Sequence, residues 1–372
     1  MYARQLTTIS ITGALSVAAL LLTVTPMTQA QATSSTTAGQ ARAGAAADQP
    51  PSHQVPAAEQ RAVNRLDHAK IVRQSKPLAL PTPRPLPAKA TAPRSGADGP
   101  AVTVRGTGPS TTTSSLSTRT VTTARAATDV TGALWPGVAT ANPNRQVGKL
   151  YFDTDPSPTR TAWNHCTATA INSENKSTVL TAGHCVWDIT NRRWYSQLWF
   201  YPGYENGARL GAWQVRQMST TSNYYNYGTS ADDMAVVVVN RDSAGVSLVN
   251  RVGGQGVAFN QPVGVMRTSL GYPKTDSRWP GWTSAGEDLY YCQGRDTYYS
   301  SGSLAGQMVL SCRMTGGASG GPWLSNVPST WLGTVTSVNS NKGWVGSQGA
   351  PWMFGPYMGA QELAVFQAYR AF

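Results

Sequence analysis

Apolar and polar positions alternate along this chain in short bursts, and the bursts become regular from residue 147 onward. Runs rich in β-branched and aromatic residues occupy 147–152, 166–171, 178–182, 197–201, 213–218, 234–239, 264–270, 308–313 and 332–338, with Gly, Asn, Ser and Pro between them. Short runs of this kind read as half-buried or buried strands, and many of them at close intervals predict a barrel or sandwich rather than βαβ units. The stretch Asn172-Ser173-Glu174-Asn175 reads as a hairpin turn, and the strand that follows it leads into His184. Only the end of the chain changes period. Within 362–371, Leu363, Phe366 and Tyr369 with Arg370 recur at three to four residues, which predicts a terminal helix packed by one apolar stripe. No internal sequence repeat is visible.

Composition divides the chain into three parts. The first thirty residues carry Arg4, an apolar run over 14–24, then Pro26, Thr28 and Ala30. That run is too short to span a bilayer, so 1–30 is expected to be a secretory signal peptide, cleaved after Ala30 or Ala32, and the mature protein to be extracellular with no membrane anchor. Residues 31–125 are rich in Ala, Pro, Ser, Thr and Gln and poor in aromatic residues. Such a segment buries too little apolar surface to offset its chain entropy and is expected to be a disordered pro-segment. It also holds most of the net charge of +12, with 12 Lys/Arg against 4 Asp/Glu, where 126–372 holds 17 against 14. No stacking or base-reading motif accompanies that charge, so a solvated cationic tail is expected and nucleic-acid binding is not. All twelve Trp lie beyond residue 126, which assigns 126–372 as the folded domain.

Three motifs in the folded part carry chemistry. Gly316-Gly317-Ala318-Ser319-Gly320-Gly321-Pro322 sets a serine in a glycine-rich turn, and Thr181-Ala182-Gly183-His184-Cys185 sets a histidine among small residues at the end of an apolar strand. Between them, Asp232-Asp233-Met234-Ala235-Val236 offers carboxylates. A serine hydroxyl attacks only when a base takes its proton, and that imidazole needs a carboxylate to fix its tautomer, so Ser319, His184 and Asp233 form a candidate triad. The glycines matter because backbone amides must turn toward an oxyanion, which bulky side chains would prevent. The order His, Asp, Ser disfavours subtilisin-like and α/β-hydrolase arrangements.

On these motifs, with Cys166-Thr167-Ala168-Thr169-Ala170 and the run from Thr315 to Trp323, residues 145–372 resemble the chymotrypsin-like (trypsin-like) serine peptidases, secreted actinobacterial members near the glutamyl endopeptidases. The resemblance implies an all-β fold of two six-stranded antiparallel barrels with a C-terminal helix. It implies a serine endopeptidase working through an acyl-enzyme, with oxyanion donors at Gly317 and Ser319, protein or peptide substrates, a monomer, and neither metal nor organic cofactor. Asp233 rather than Asp232 matches the family pattern of an acid followed by a small and apolar run; Asp232 is expected as a turn or capping residue. A non-catalytic binding module on the same fold and an esterase are the alternatives.

Four cysteines in an exported chain favour two disulfides, with three possible pairings. Cys166 with Cys185 clamps the loop carrying His184, and Cys292 with Cys312 then ties the strand at Tyr290 and Tyr291 to the one entering the nucleophile loop. Each closes a loop of roughly 20 residues, worth about 3 kcal/mol in the chain-entropy model. The competing reading is a zinc site built from His165, Cys166, His184 and Cys185, which the oxidised setting and the triad both disfavour. His165 is expected as a structural strand residue.

The chain departs from the family in two places. Animal trypsins carry an aspartate immediately before the serine, which pairs with a new α-amino group on activation; here Ala318 stands there, so removal of the pro-segment, near Arg119 or Arg125, is not expected to act through that ion pair. By the resemblance, the primary pocket takes one wall from Arg313, Met314, Thr315 and Gly316 and the other from Thr336, Ser337, Val338 and Asn339. Arg313 near the pocket base opposes cleavage after Lys or Arg and is expected to point to solvent, and Val335 or its neighbours stand where glutamyl endopeptidases use a histidine. Trp187, Trp194, Trp199, Trp213, Trp279 and Trp282 are expected to pack in core and loops rather than to form a polysaccharide surface.

Overall fold

Strands rich in Val, Ala, Thr and Tyr cannot expose both faces, and the first six solve this by closing on one another. The protein is described by a computed structural model covering residues 49–87, 98–110, 129–155, 157, 160–207, 209–274, 285–345 and 350–372. In it β1 (Val147–Asp153), β2 (Trp163–Ala170), β3 (Thr178–Thr181), β4 (Ser196–Pro202), β5 (Trp213–Thr220) and β6 (Ala235–Val239) pair in the order β5-β4-β1-β2-β3-β6. Pairing of β6 back onto β5 seals an antiparallel barrel and removes its edges. Every residue of β1 and of β6 is buried, as expected where strands wrap a barrel that is filled inside and covered outside.

The second half contains β7 (Gly256–Phe259), β8 (Met266–Gly271), β9 (Tyr290–Arg295), β10 (Gln307–Ser311), β11 (Pro322–Ser325), β12 (Thr334–Val338), β13 (Asn341–Val345) and β14 (Ala350–Pro356). Its strands form two sheets among the described residues. One runs β7-β12-β11-β8-β9, extended at its edges by Val102–Val104 on β7 and Val130–Leu134 on β9; the other runs Thr297–Tyr299, β10, β14, β13. β9 packs beside β10, which brings the two sheets together where Cys292 bridges Cys312. The other bridge joins Cys166 to Cys185, so both pairings are those read from the sequence.

The terminal helix spans Ala360–Tyr369 and buries Glu362, Val365, Phe366 and Tyr369, with Leu363 only partly covered. The buried stripe therefore starts one residue earlier than the apolar spacing suggests, because it includes a carboxylate. Phe366 meets Phe259 of β7 with ring centroids 5.5 Å apart, which docks the helix on the second half. No helix among the described residues is long and apolar enough to cross a membrane.

The leading segment requires a correction. Its described parts, 49–87 and 98–110, are folded onto the domain rather than disordered: Ser52–Gln54 pairs antiparallel with β5, and Lys76–Pro77 adds in parallel to β2. Helices Ala57–Val63 and His68–Gln74 place Val63 and Ile71 in the core, and the described residues belong to one unit. The segment offers few apolar residues of its own, but these anchors bury against a surface that the barrel supplies, so their burial offsets the ordering cost. The expected signal stretch 1–30, Arg119, Arg125, Trp279 and Trp282 lie outside the described residues.

Candidate active site

Strand register brings the first two candidate side chains together. β3 and β6 run antiparallel with Thr181 opposite Ala235, so the residues just after β3 lie beside those just before β6. His184 follows in the turn Gly183–Cys185 and Asp233 precedes in the turn after Ser230–Asp232. Gly183 is required there, since a Cβ would meet the Tyr224 ring at 2.6 Å. His184 Nδ1 lies 2.7 Å from Asp233 Oδ2, the His184 backbone N–H donates to Oδ1 at 2.9 Å, and the Ser340 hydroxyl donates to Oδ2 at 2.5 Å. A carboxylate oxygen accepts, so Nδ1 presents its N–H to Asp233, and in the neutral ring the lone pair belongs to Nε2. His184 and Asp233 are 6% and 1% exposed, a setting in which water competes poorly for these bonds.

Ser319 reaches the same region on a loop tied to β2. Its carbonyl accepts from Thr167 N at 2.8 Å, and the Thr167 hydroxyl donates to Gly317 O at 2.8 Å, one residue from the cysteine that bridges to Cys185 beside His184. Gly317 and Gly320 have φ of +90° and +78°, and a Cβ on Gly320 would meet Thr181 Oγ1 at 2.1 Å, so the loop packs flush against the end of β3 only as glycine. Asn339 completes the cradle. Its Nδ2 donates to Ala318 O and Leu270 O at 3.0 Å each, while Oδ1 accepts from Ser269 and Trp323 at 2.7 Å. Ser319 is fully buried, and neither its Oγ nor His184 Nε2 has a hydrogen-bond partner, so the contact for proton transfer is not made in this state. Gly317 N, the expected oxyanion donor, is occupied: it donates to Leu78 O of the leading segment at 2.8 Å.

The residues proposed for the specificity pocket separate. Met314 is buried in a core cluster, Arg313 is half-buried with its N–H on Thr131 O, and the Thr315 hydroxyl donates to Lys274 O at 2.7 Å. On the other side Thr336 accepts from Arg267 at 2.7 Å, the Ser337 hydroxyl donates to Pro356 O and Val338 is core. These β12 side chains serve internal packing. It is the following residues that reach the site, with Ser340 on Asp233 and Lys342 Nζ 3.5 Å from Arg313 O. Sequence reasoning missed Ser340 and Thr167, and took Asn339 only as the end of a pocket wall, because Ser, Asn and Thr near strand ends read as ordinary turn chemistry.

Neighbouring titratable groups play other parts. Asp232 is fully buried, accepting from Thr229 and Asn223, and burial pushes its carboxyl up to about 6. His165 is buried behind Gly317 with Ser75 Oγ 3.0 Å from Nδ1, and burial, then the Lys149 charge, holds its pKa well below the usual imidazole value. Lys149 itself pairs with Glu287 at 3.0 Å and is lowered to about 8 by burial. His184 with Cys166 and Cys185 puts three ligand-type atoms within 4.8 Å of one another, but the two sulfurs are bonded to each other and offer no thiolates. Trp187, Trp199 and Trp213 are buried, and Trp187 stacks on Tyr225 at 4.3 Å; Trp194 is partly buried against them.

No protein-family model and no curated protein matches the chain. Solved structures do. The protease Anisep from Arthrobacter nicotinovorans is 31% identical, with 64% of this chain and 98% of that one covered and a TM-score of 0.52. A thermostable serine protease, AL20, from an extremophilic microorganism is 30% identical over 61% of this chain and 96% of its own, with a TM-score of 0.50. A Glu endopeptidase is 20% identical over 66% and 98% of the two chains, with a TM-score of 0.48.

Proposed function

Because this chain belongs to the chymotrypsin-like serine peptidases, we propose that it is a secreted serine endopeptidase, made with a pro-segment, in which Ser319, His184 and Asp233 hydrolyse peptide bonds. One observation carries the reading: a buried imidazole bonded through Nδ1 to a carboxylate, with Nε2 uncommitted, on the loop cross-linked to the strand that holds the Ser319 carbonyl. In the catalytic state His184 Nε2 takes the Ser319 proton as Oγ attacks the substrate carbonyl, and returns it to the leaving amine. Asp233 fixes the tautomer and stabilises the imidazolium, while the N–H groups of Gly317 and Ser319 receive the oxyanion. Water then repeats the cycle on the acyl-enzyme. Export is supported by the leader composition and by two disulfides of the kind that persist in oxidising compartments.

The test uses the chain freed of its leading segment. Ser319→Ala is expected to lower casein hydrolysis by about 10⁶-fold with the fold unchanged, and a serine-directed organophosphonate fluoride is expected to add its mass at Ser319. Wild-type protein that neither cleaves nor labels would overturn the reading in favour of a binding module. Turnover of esters without peptides would make it an esterase.

A further inference from the structure

The catalytic cleft already contains a peptide, and the chain itself provides it. Lys76–Pro77 extends β2, after which Leu78 donates its N–H to His165 O at 3.0 Å and accepts at its carbonyl from Gly317 N at 2.8 Å. A Cβ on Gly316 would sit 2.5 Å from that carbonyl and 3.2 Å from Ala79 Cα, so the strap lies directly on the glycine loop. Onward, Ala79, Pro81, Thr82 and Arg84 share with His184 and Asp233 the walls of a crevice of about 300 Å³. Arg84 then fastens to Ser230, three residues before Asp233, donating its N–H to the hydroxyl at 2.9 Å and accepting from Ser230 N at 3.0 Å. The strap thus enters over the oxyanion amide and leaves past the base.

We propose that residues 76–84 are an inhibitor carried by the chain, a proline-rich peptide that lies along the cleft, places the Leu78 carbonyl on the Gly317 amide, and must leave before substrate enters. The inference rests on the peptidase reading of the same site. Its physical core is competition for one proton: the Gly317 N–H points at a single acceptor, and while Leu78 holds it a substrate oxyanion loses that donor. Two features suit the strap to this role. Residues 76–87 contain five prolines, which fix φ and leave less chain entropy to lose on docking than an ordinary peptide would. The buried anchors Val63 and Ile71 on its N-terminal side hold it at high effective concentration. In this arrangement Ala318 in place of an acid is no defect. The loop is already shaped by Thr167 and Asn339, and latency comes from an occupied cleft rather than from an unformed one.

Labelling of Ser319 by the organophosphonate fluoride, read by intact mass, tests this on the intact chain and on the chain cut within 88–128 and stripped of its leading segment. The intact chain is expected to label about 100-fold more slowly, since only the fraction with an open cleft reacts. Leu78→Asp in the intact chain, which puts a charge where Leu78 packs on the core, is expected to recover most of that rate. Intact chain labelling as fast as the stripped chain, or Leu78→Asp labelling no faster than the unaltered intact chain, would overturn the proposal while leaving the peptidase reading in place; labelling of neither form sinks both. Should Leu78→Asp fail to fold, hydrogen exchange on the Ser319→Ala chain decides. The Gly317 amide is expected to exchange slowly when intact and fast when stripped, and equal exchange in the two forms counts against the strap.

Discussion

Asp233 has both carboxylate oxygens engaged, Oδ1 on the His184 backbone and Oδ2 on the imidazole and on Ser340, so the role proposed for it is orientation as much as charge. Asp233→Asn keeps the shape but presents an amide donor where Nδ1–H needs an acceptor, which forces the wrong tautomer. The stripped enzyme is expected to lose about 10⁴ in kcat at little change in KM, measured by steady-state peptide hydrolysis. Ser340→Ala removes one of three donors to that carboxylate; a hydrogen bond to a charged group is worth about 1.5–3 kcal/mol, so a loss of about 10- to 100-fold in kcat is expected in the same assay. Asn339 acts one step further away, as a positioning residue. Asn339→Asp keeps both acceptor contacts and removes the donors to Ala318 O and Leu270 O, setting a carboxylate oxygen against two carbonyls next to the nucleophile loop. Its expected signature is a fall in kcat with KM held, whereas a merely structural role would lower the unfolding midpoint and leave kcat per folded molecule unchanged. Substitution of Asn339 that left kcat per folded molecule intact would remove it from the mechanism.

At the level of elements, His184 and Asp233 were legible from their motifs, and the structure brings them together because each stands at the end of a short apolar strand and β3 and β6 pair with Thr181 opposite Ala235. The cysteine pairing was legible for a similar reason, since both partners flank strands that the hairpin places side by side. Less was visible where burial is polar. The terminal helix shows a weak apolar period in the sequence because its buried stripe contains Glu362, whose Oε2 accepts from Gly359 N at 2.9 Å and whose carboxyl is raised well above the usual range by burial and then by Asp232. That pair sets a pH dependence. Both carboxyls are raised relative to the unfolded chain, Asp232 to about 6, so the folded state binds more protons than the unfolded one and its stability declines as pH rises from about 4 through 6 and beyond. Glu362→Gln takes one of the two acids away. It is expected to raise the unfolding free energy at pH 8 by about 1–3 kcal/mol and to change it little at pH 4, which denaturant titration at the two pH values will show. Equal effects at both values would mean that the Glu362 carboxyl is not raised in the folded state.

For the whole molecule, the leading segment is where sequence reasoning and structure part, and the reason is that burial is shared between two parts of one chain. Val55, Val63 and Ile71 look too sparse to matter until a barrel wall faces them, and the same holds for His68, which meets Trp199 edge-on at 4.4 Å and bonds the Tyr201 hydroxyl. Burial and then the Arg209 charge lower the His68 pKa below its ordinary 6.5, against a smaller opposing pull from Asp67. Docked His68 therefore resists protonation, and docking is at full strength above 6.5 and weakens as pH falls below it toward the docked value. Once the connection within 88–128 is cut, the segment is held by contacts alone, and acid should loosen it. Release of the cut segment, followed by size-exclusion chromatography, is expected to be faster at pH 5 than at pH 8, and His68→Gln, which cannot take up a charge, is expected to remove most of that difference. An unchanged pH dependence in His68→Gln would place the acid-sensitive group elsewhere. If release also restores labelling of Ser319 in proportion, then the strap over Gly317 and the helices that anchor it leave as one piece, and the protein's latency is set by how well a poorly apolar segment holds to a barrel it cannot do without.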